Sequence, residues 1–67
     1  MNDNQRFKNW YSNIPDDRRI ALRDRIIQEC RIATTDVFYN WYRGRTAIPP
    51  LAKAVIESIA SEKIFES

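Results

Sequence analysis

Residues 26–49 read IIQECRIATTDVFYNWYRGRTAIP, and the folding of this stretch decides the rest of the chain. Wound as a helix from Thr35 to about Arg43, it separates into two faces. Phe38 and Trp41, spaced i and i+3 and joined by Val37 and part of Tyr42, make an inward face. Asp36, Tyr39, Asn40 and Arg43, at i, i+3, i+4 and i+7, make the outer one. Gly44 ends this helix, because glycine takes up the left-handed conformation that stops a helix at little cost. Upstream, Ile26 and Ile27 belong to a preceding helix, and residues 31–35 (RIATT) connect the two. Either Thr34 or Thr35 can cap the second helix by accepting a backbone N–H bond. Ile32 is expected to plug the space between two helices that meet at a steep angle.

Working outward, the same periodicity predicts three more helices. Phe7, Trp10, Tyr11 and Ile14 fall on one face of a helix over about 3–12. Pro15, then Asp16 and Asp17 at a positive helix end, open a second over about 16–30. Leu22, Ile26 and Cys30 form its apolar row, with Ile20 and Ile27 beside it, and Arg18, Arg19, Asp24 and Arg25 are expected to face water. A fourth helix starts at Pro49 and runs to about Lys63. Its apolar face is Ile48, Leu51, Ala52, Val55, Ile59 and Ala60, while Lys53, Glu57 and Glu62 point outward. Nothing alternates for long enough to suggest a strand. The expectation is one all-α, four-helix compact domain over 1–67. A helix, a short connection and a second helix with a polar outer face form its helix-turn-helix core. The apolar Ile64-Phe65 pair either caps this core or contributes to a dimer.

Composition narrows the function classes. A chain of 67 residues, 43% apolar and 30% charged, can build one core but not two, and is not a disordered polyelectrolyte. Cys30 is its single cysteine, so no internal disulfide can form, which points to a reducing, cytoplasmic setting. No apolar run approaches the roughly 20 residues that span a bilayer, and the polar segment from Asn2 to Lys8 is unlike a signal peptide. There is no histidine, which removes the commonest general base and metal ligand, and one cysteine alone cannot build a zinc site. No cofactor, metal or small-molecule substrate is therefore expected. Nor is there a nucleophile beside a base, a carboxylate pair suited to a cleft, or a phosphate-cradling glycine loop, so the chain reads as non-enzymatic.

The net charge of +2 is unevenly spread. Between Arg18 and Lys53, eight basic residues oppose Asp24, Glu29 and Asp36, a surplus of five, while residues 1–17 come to −1 and residues 54–67 to −2. A basic middle with acidic ends suits a polyanionic partner. The outer face of residues 35–43 has the side chains for one. Asn40 can pair with an adenine edge, Arg43 with guanine or a phosphate, and Tyr39 can donate to a phosphate or touch a thymine methyl. Thr34 and Thr35 stand at a helix start with free backbone N–H groups. Arg45 and Thr46, past the glycine, can clamp a flanking backbone, and Lys53 is a further candidate from the fourth helix.

At this point the stretch resembles the helix-turn-helix core of the Cro and phage-repressor-like family of small bacterial or phage transcriptional regulators. The resemblance is carried by Phe38-Tyr39-Asn40-Trp41-Tyr42-Arg43-Gly44-Arg45-Thr46 and the proline-started helix that follows. Phe7 to Trp10 and Leu22 to Ile27 extend it to a group of short phage-borne or mobile-element regulators. It implies major-groove binding of double-stranded DNA through residues 35–43, with Thr34, Thr35, Asp36, Tyr39, Asn40 and Arg43 at the DNA, and transcription regulation as the output. Members often bind paired half-sites, so a homodimer is compatible with it. Two features depart from the family pattern. The turn usually carries a small residue, often glycine, where this chain has Arg31 or Ile32, and the connection before Phe38 is one residue longer. The rival expectation is a protein–protein adaptor on the same scaffold without DNA binding, since Tyr39, Tyr42 and Arg43 also suit a protein hot spot.

Overall fold

Asn2 opens the first helix of the computed structural model, which describes residues 2–65. Its side chain accepts from the Gln5 backbone N–H at 2.9 Å while the Gln5 side chain accepts from the Asn2 N–H at 3.2 Å, a reciprocal cap. Among the described residues the chain forms four α-helices and no strand: α1 (Asp3–Ser12), α2 (Asp16–Glu29), α3 (Thr35–Arg43) and α4 (Pro50–Ala60). Met1, Glu66 and Ser67, the ends of the expected 1–67 domain, lie outside the described residues.

α1 packs across α3, and α2 touches both α3 and α4. The core where they meet holds Phe7, Tyr11, Ile26, Phe38, Trp41, Ile48, Ala52, Ile56 and Ile64. Its centre is aromatic: the Phe38 ring stands edge-on to Phe7 at 5.3 Å and to Tyr11 at 5.1 Å. Such edge-to-face contacts add about 0.5–1.5 kcal/mol to the area each ring buries. The Tyr11 phenol, pushed to a higher pKa chiefly by burial, donates to the Arg19 carbonyl at 3.1 Å.

Several expectations are corrected. Leu51, assigned to the apolar face of the fourth helix, is 84% exposed, and Ile56 is fully buried in its place. α4 packs chiefly on α2, so only one side of it is covered. Ile20 is likewise exposed. The fourth helix stops at Ala60 rather than near Lys63, because Ser61 turns left-handed at φ 58°. Arg19, expected in water, lies over the Tyr11 ring and donates to the Ile14 carbonyl at 3.0 Å, tying the α1–α2 connection. Neither threonine caps α3 through its side chain; Thr34 occupies the cap position with extended backbone only.

Ile64 is buried and caps the core. One carboxylate oxygen of Glu57 holds it there, accepting from the backbone N–H of Ile64 at 2.9 Å and of Phe65 at 3.0 Å. These two bonds favour the ionised carboxylate and lower its pKa from the ordinary 4.5. A pKa lowered by folding adds stability that is present above the unfolded-state value and lost as pH falls through the folded one. The protection of the Ile64 and Phe65 amides, taken against the intrinsic exchange rate at each pH, should therefore fall as pH drops below about 4.5, the ordinary value. In Glu57→Gln that pH dependence should vanish.

The α2–α3 connection turns at the first residue past Cys30, the cap of α2. Arg31 sits there, left-handed at φ 56°. Around it Arg31 N donates to the Gln28 carbonyl at 3.2 Å and Ile32 N to the Ile27 carbonyl at 3.0 Å, satisfying two carbonyls that α2 leaves over. Ile32 beyond it is half-buried against the core. A non-glycine residue pays about 1–2 kcal/mol for this conformation, while glycine costs about 0.5–1 kcal/mol in chain entropy. Arg31→Gly is expected to stabilise the fold by about 0.5–1 kcal/mol, read as a rise in melting temperature of about 2–8 °C. A lower melting temperature would show that the Arg31 side chain contributes more than its backbone costs.

Candidate nucleic-acid interface

The burial of α3 fixes what it presents. Phe38 is fully buried and Trp41 is 4% exposed, both beneath the helix. The other side turns outward: Thr35, Asp36 and Arg43 are exposed, and Tyr39 and Asn40 half-buried. Charge is arranged as a helix of this length favours, with Asp36 in the first turn and Arg43 in the last.

Gly44, left-handed at φ 80°, ends the helix where expected. Gly44 N donates to the Trp41 carbonyl at 3.2 Å and Arg45 N to the Asn40 carbonyl at 2.9 Å. Asn4, on α1, straps this end: its Nδ2 donates to the carbonyls of Trp41 and Thr46, each at 2.9 Å. Arg45 and Thr46 are thereby carried, exposed, on a loop with a fixed path beside Arg43. Thr34 and Thr35 lie exposed at the opposite end, on the turn set by Arg31.

Eight of the nine residues expected at a site thus lie on α3 and its two flanking turns. Lys53 is the exception. Its Nζ is held at 2.9 Å by the Asp3 carboxylate of α1, so α1 offsets its charge. Tyr39 is also less free than its place on the helix implied. Its hydroxyl accepts from Arg23 Nη1 of α2 at 3.1 Å, its ring stands edge-on to Phe38 at 5.4 Å, and the Arg43 guanidinium lies over it at 5.8 Å. The bond to Tyr39 is the main reason the Arg23 pKa is raised. Asn40 and Arg43 donate no side-chain hydrogen bond to another described residue, so both heads are open to a ligand. Tyr42, at the edge toward α1, shares a hydrogen bond with the Ser12 hydroxyl at 3.0 Å, and Lys8 lies over its ring at 5.8 Å.

Arg23 and Asn4 are the residues the sequence did not single out. Their partners stand 16 and 37 or more positions away, and no local spacing signals such a pairing. Cys30, at the end of α2, has its thiol pKa raised by burial and next by Glu29, which makes it a packing residue rather than an activated nucleophile.

No family model matches the chain, and neither does any curated protein or any solved structure.

Proposed function

We propose that this chain binds duplex DNA in a sequence-directed way by laying α3 in the major groove, that it regulates transcription in the cytoplasm, and that it is not an enzyme. The observation that carries the reading is the division of α3. Phe38 and Trp41 are buried, while on the other side Asn40 and Arg43, the side chains suited to adenine and to guanine or phosphate, donate no side-chain hydrogen bond to another described residue. The order of α2, a short connection and α3 supports the reading, since a helix-turn-helix lays its second helix in the groove. Among the described residues no helix is long and apolar enough to cross a membrane. The likeness to Cro and phage-repressor-like regulators rests on the residues of that stretch.

The deciding experiment is an NMR amide-shift titration with random-sequence duplex DNA at two salt concentrations. Shifts centred on residues 34–46 that shrink steeply with added salt are the expected result, because each phosphate neutralised releases counterions. Shifts elsewhere, or none, would remove the reading.

A protein–protein adaptor role is the second reading. It is favoured by an open groove of about 870 Å³ floored by Trp10, Ile14, Leu22 and Ile59, and by exposed Leu51. Binding there would respond weakly to salt and would leave α3 signals in place.

A further inference from the structure

We propose that Arg23, from α2, aims the Tyr39 hydroxyl proton at a phosphodiester oxygen, making Arg23, Tyr39 and Arg43 one phosphate-binding site across the two helices. This deepens the DNA-binding reading above and rests on it.

A phenol hydroxyl has one proton to give. Arg23 Nη1 occupies a lone pair of the Tyr39 oxygen at 3.1 Å, so the proton must point away from the guanidinium. A cationic donor on the oxygen also polarises the O–H, which strengthens it toward an anionic acceptor. The ring cannot readily swing to another direction, being held edge-on by Phe38 and covered by Arg43.

Charge then selects the acceptor. Arg23 turns its Nε and Nη2 to one oxygen of Asp24, at 3.2 and 3.0 Å, so its own charge is largely offset and it acts as a positioning residue. Arg43, exposed above the ring, supplies the uncompensated charge. A directed hydroxyl beside a single open guanidinium fits a singly charged phosphodiester. Location agrees: Tyr39 reaches α2, so it lies on the flank of α3 where the groove wall approaches, and the first helix of such a pair crosses the DNA backbone.

The test is a double-mutant cycle on the full chain, read by fluorescence anisotropy with a short labelled duplex. One arm is Tyr39→Phe. The other is Arg23→Met made together with Asp24→Asn, which leaves the net charge unchanged. Each arm alone should weaken binding about tenfold, by a similar factor on any sequence, since a phosphate carries no sequence information. Combined, they should be no more than about twofold weaker than Tyr39→Phe, because Arg23 acts only through that hydroxyl. Arg23→Lys, which keeps a donor, should recover part of the loss, and melting temperatures separate these effects from unfolding. Losses that multiply, or a Tyr39→Phe protein that binds like the wild type, would overturn the proposal while leaving DNA binding itself intact. A Tyr39→Phe loss confined to one sequence would move the hydroxyl to a base edge and overturn it as well. Wild-type protein that binds no duplex at low salt would remove this site together with the reading beneath it.

Discussion

Trp41→Ala is expected to lower folding stability by about 3–5 kcal/mol, the largest loss among the substitutions proposed. Trp41 is 4% exposed on the inward side of α3, and truncating so large a buried ring costs about 3–5 kcal/mol. Stability near 0.05–0.15 kcal/mol per residue gives a chain of 67 residues about 3–10 kcal/mol in total. One substitution therefore removes from a third to all of it. The surrounding core offers little slack, because Phe38 is the one other buried side chain of α3, and that ring is committed to Phe7 and Tyr11. Urea melts followed by far-ultraviolet circular dichroism give the measurement, with Leu51→Ala as the contrast. Leu51 is the larger apolar side chain of its turn yet stands in solvent, so its loss should stay within about 0.5 kcal/mol. A Trp41→Ala protein that melts like the wild type would mean that the faces of α3 are reversed.

The contrast between these residues also shows what the sequence could and could not reveal. In α3, Val37, Phe38 and Trp41 gather on one side while Asp36, Asn40 and Arg43 gather on the other, so a single helical projection finds the buried face. Gly44, the chain's one glycine, marks its end without ambiguity. α4 gives no such guidance. Its sequence, PLAKAVIESIA, is apolar on nearly every side, and periodicity alone cannot choose between the row holding Leu51 and the row holding Ile56. Tertiary packing on α2 makes that choice. The polar supports were hidden for a different reason. A helical pattern reports burial, but not which distant carbonyls a side chain will reach; Asn4 donates from the far end of the chain to Trp41 at the end of α3 and to Thr46 in the loop beyond it. Arg23 and Arg19 look like ordinary surface arginines in a charged helix until the partner helix brings up Tyr39 and Tyr11.

Arg43→Ala and Asn40→Ala are each expected to weaken binding to a preferred duplex by about 1–3 kcal/mol, roughly 5- to 150-fold, with the fold intact. Both side chains lie on the outward side of α3 and neither donates a side-chain hydrogen bond to another described residue, so their removal leaves no unpaired group inside the protein. The two losses should differ in kind. Arg43 sits over Tyr39 beside the phosphate site, so its removal should act on all sequences and flatten the dependence of log affinity on log salt by about one phosphate's worth. Asn40 is uncharged and has the donor–acceptor pair that matches an adenine edge; its removal should leave the salt slope alone and relax discrimination at one base pair. Lys53→Ala supplies the internal standard. It removes the same formal charge as Arg43→Ala, but from a side chain already paired with Asp3, so its effect on affinity should be several-fold smaller. Anisotropy titrations of the three variants at two salt concentrations separate these outcomes. Equal losses from Lys53→Ala and Arg43→Ala would show that net charge, rather than the surface of α3, holds the DNA, and unchanged binding in both α3 variants would remove that surface from the interface.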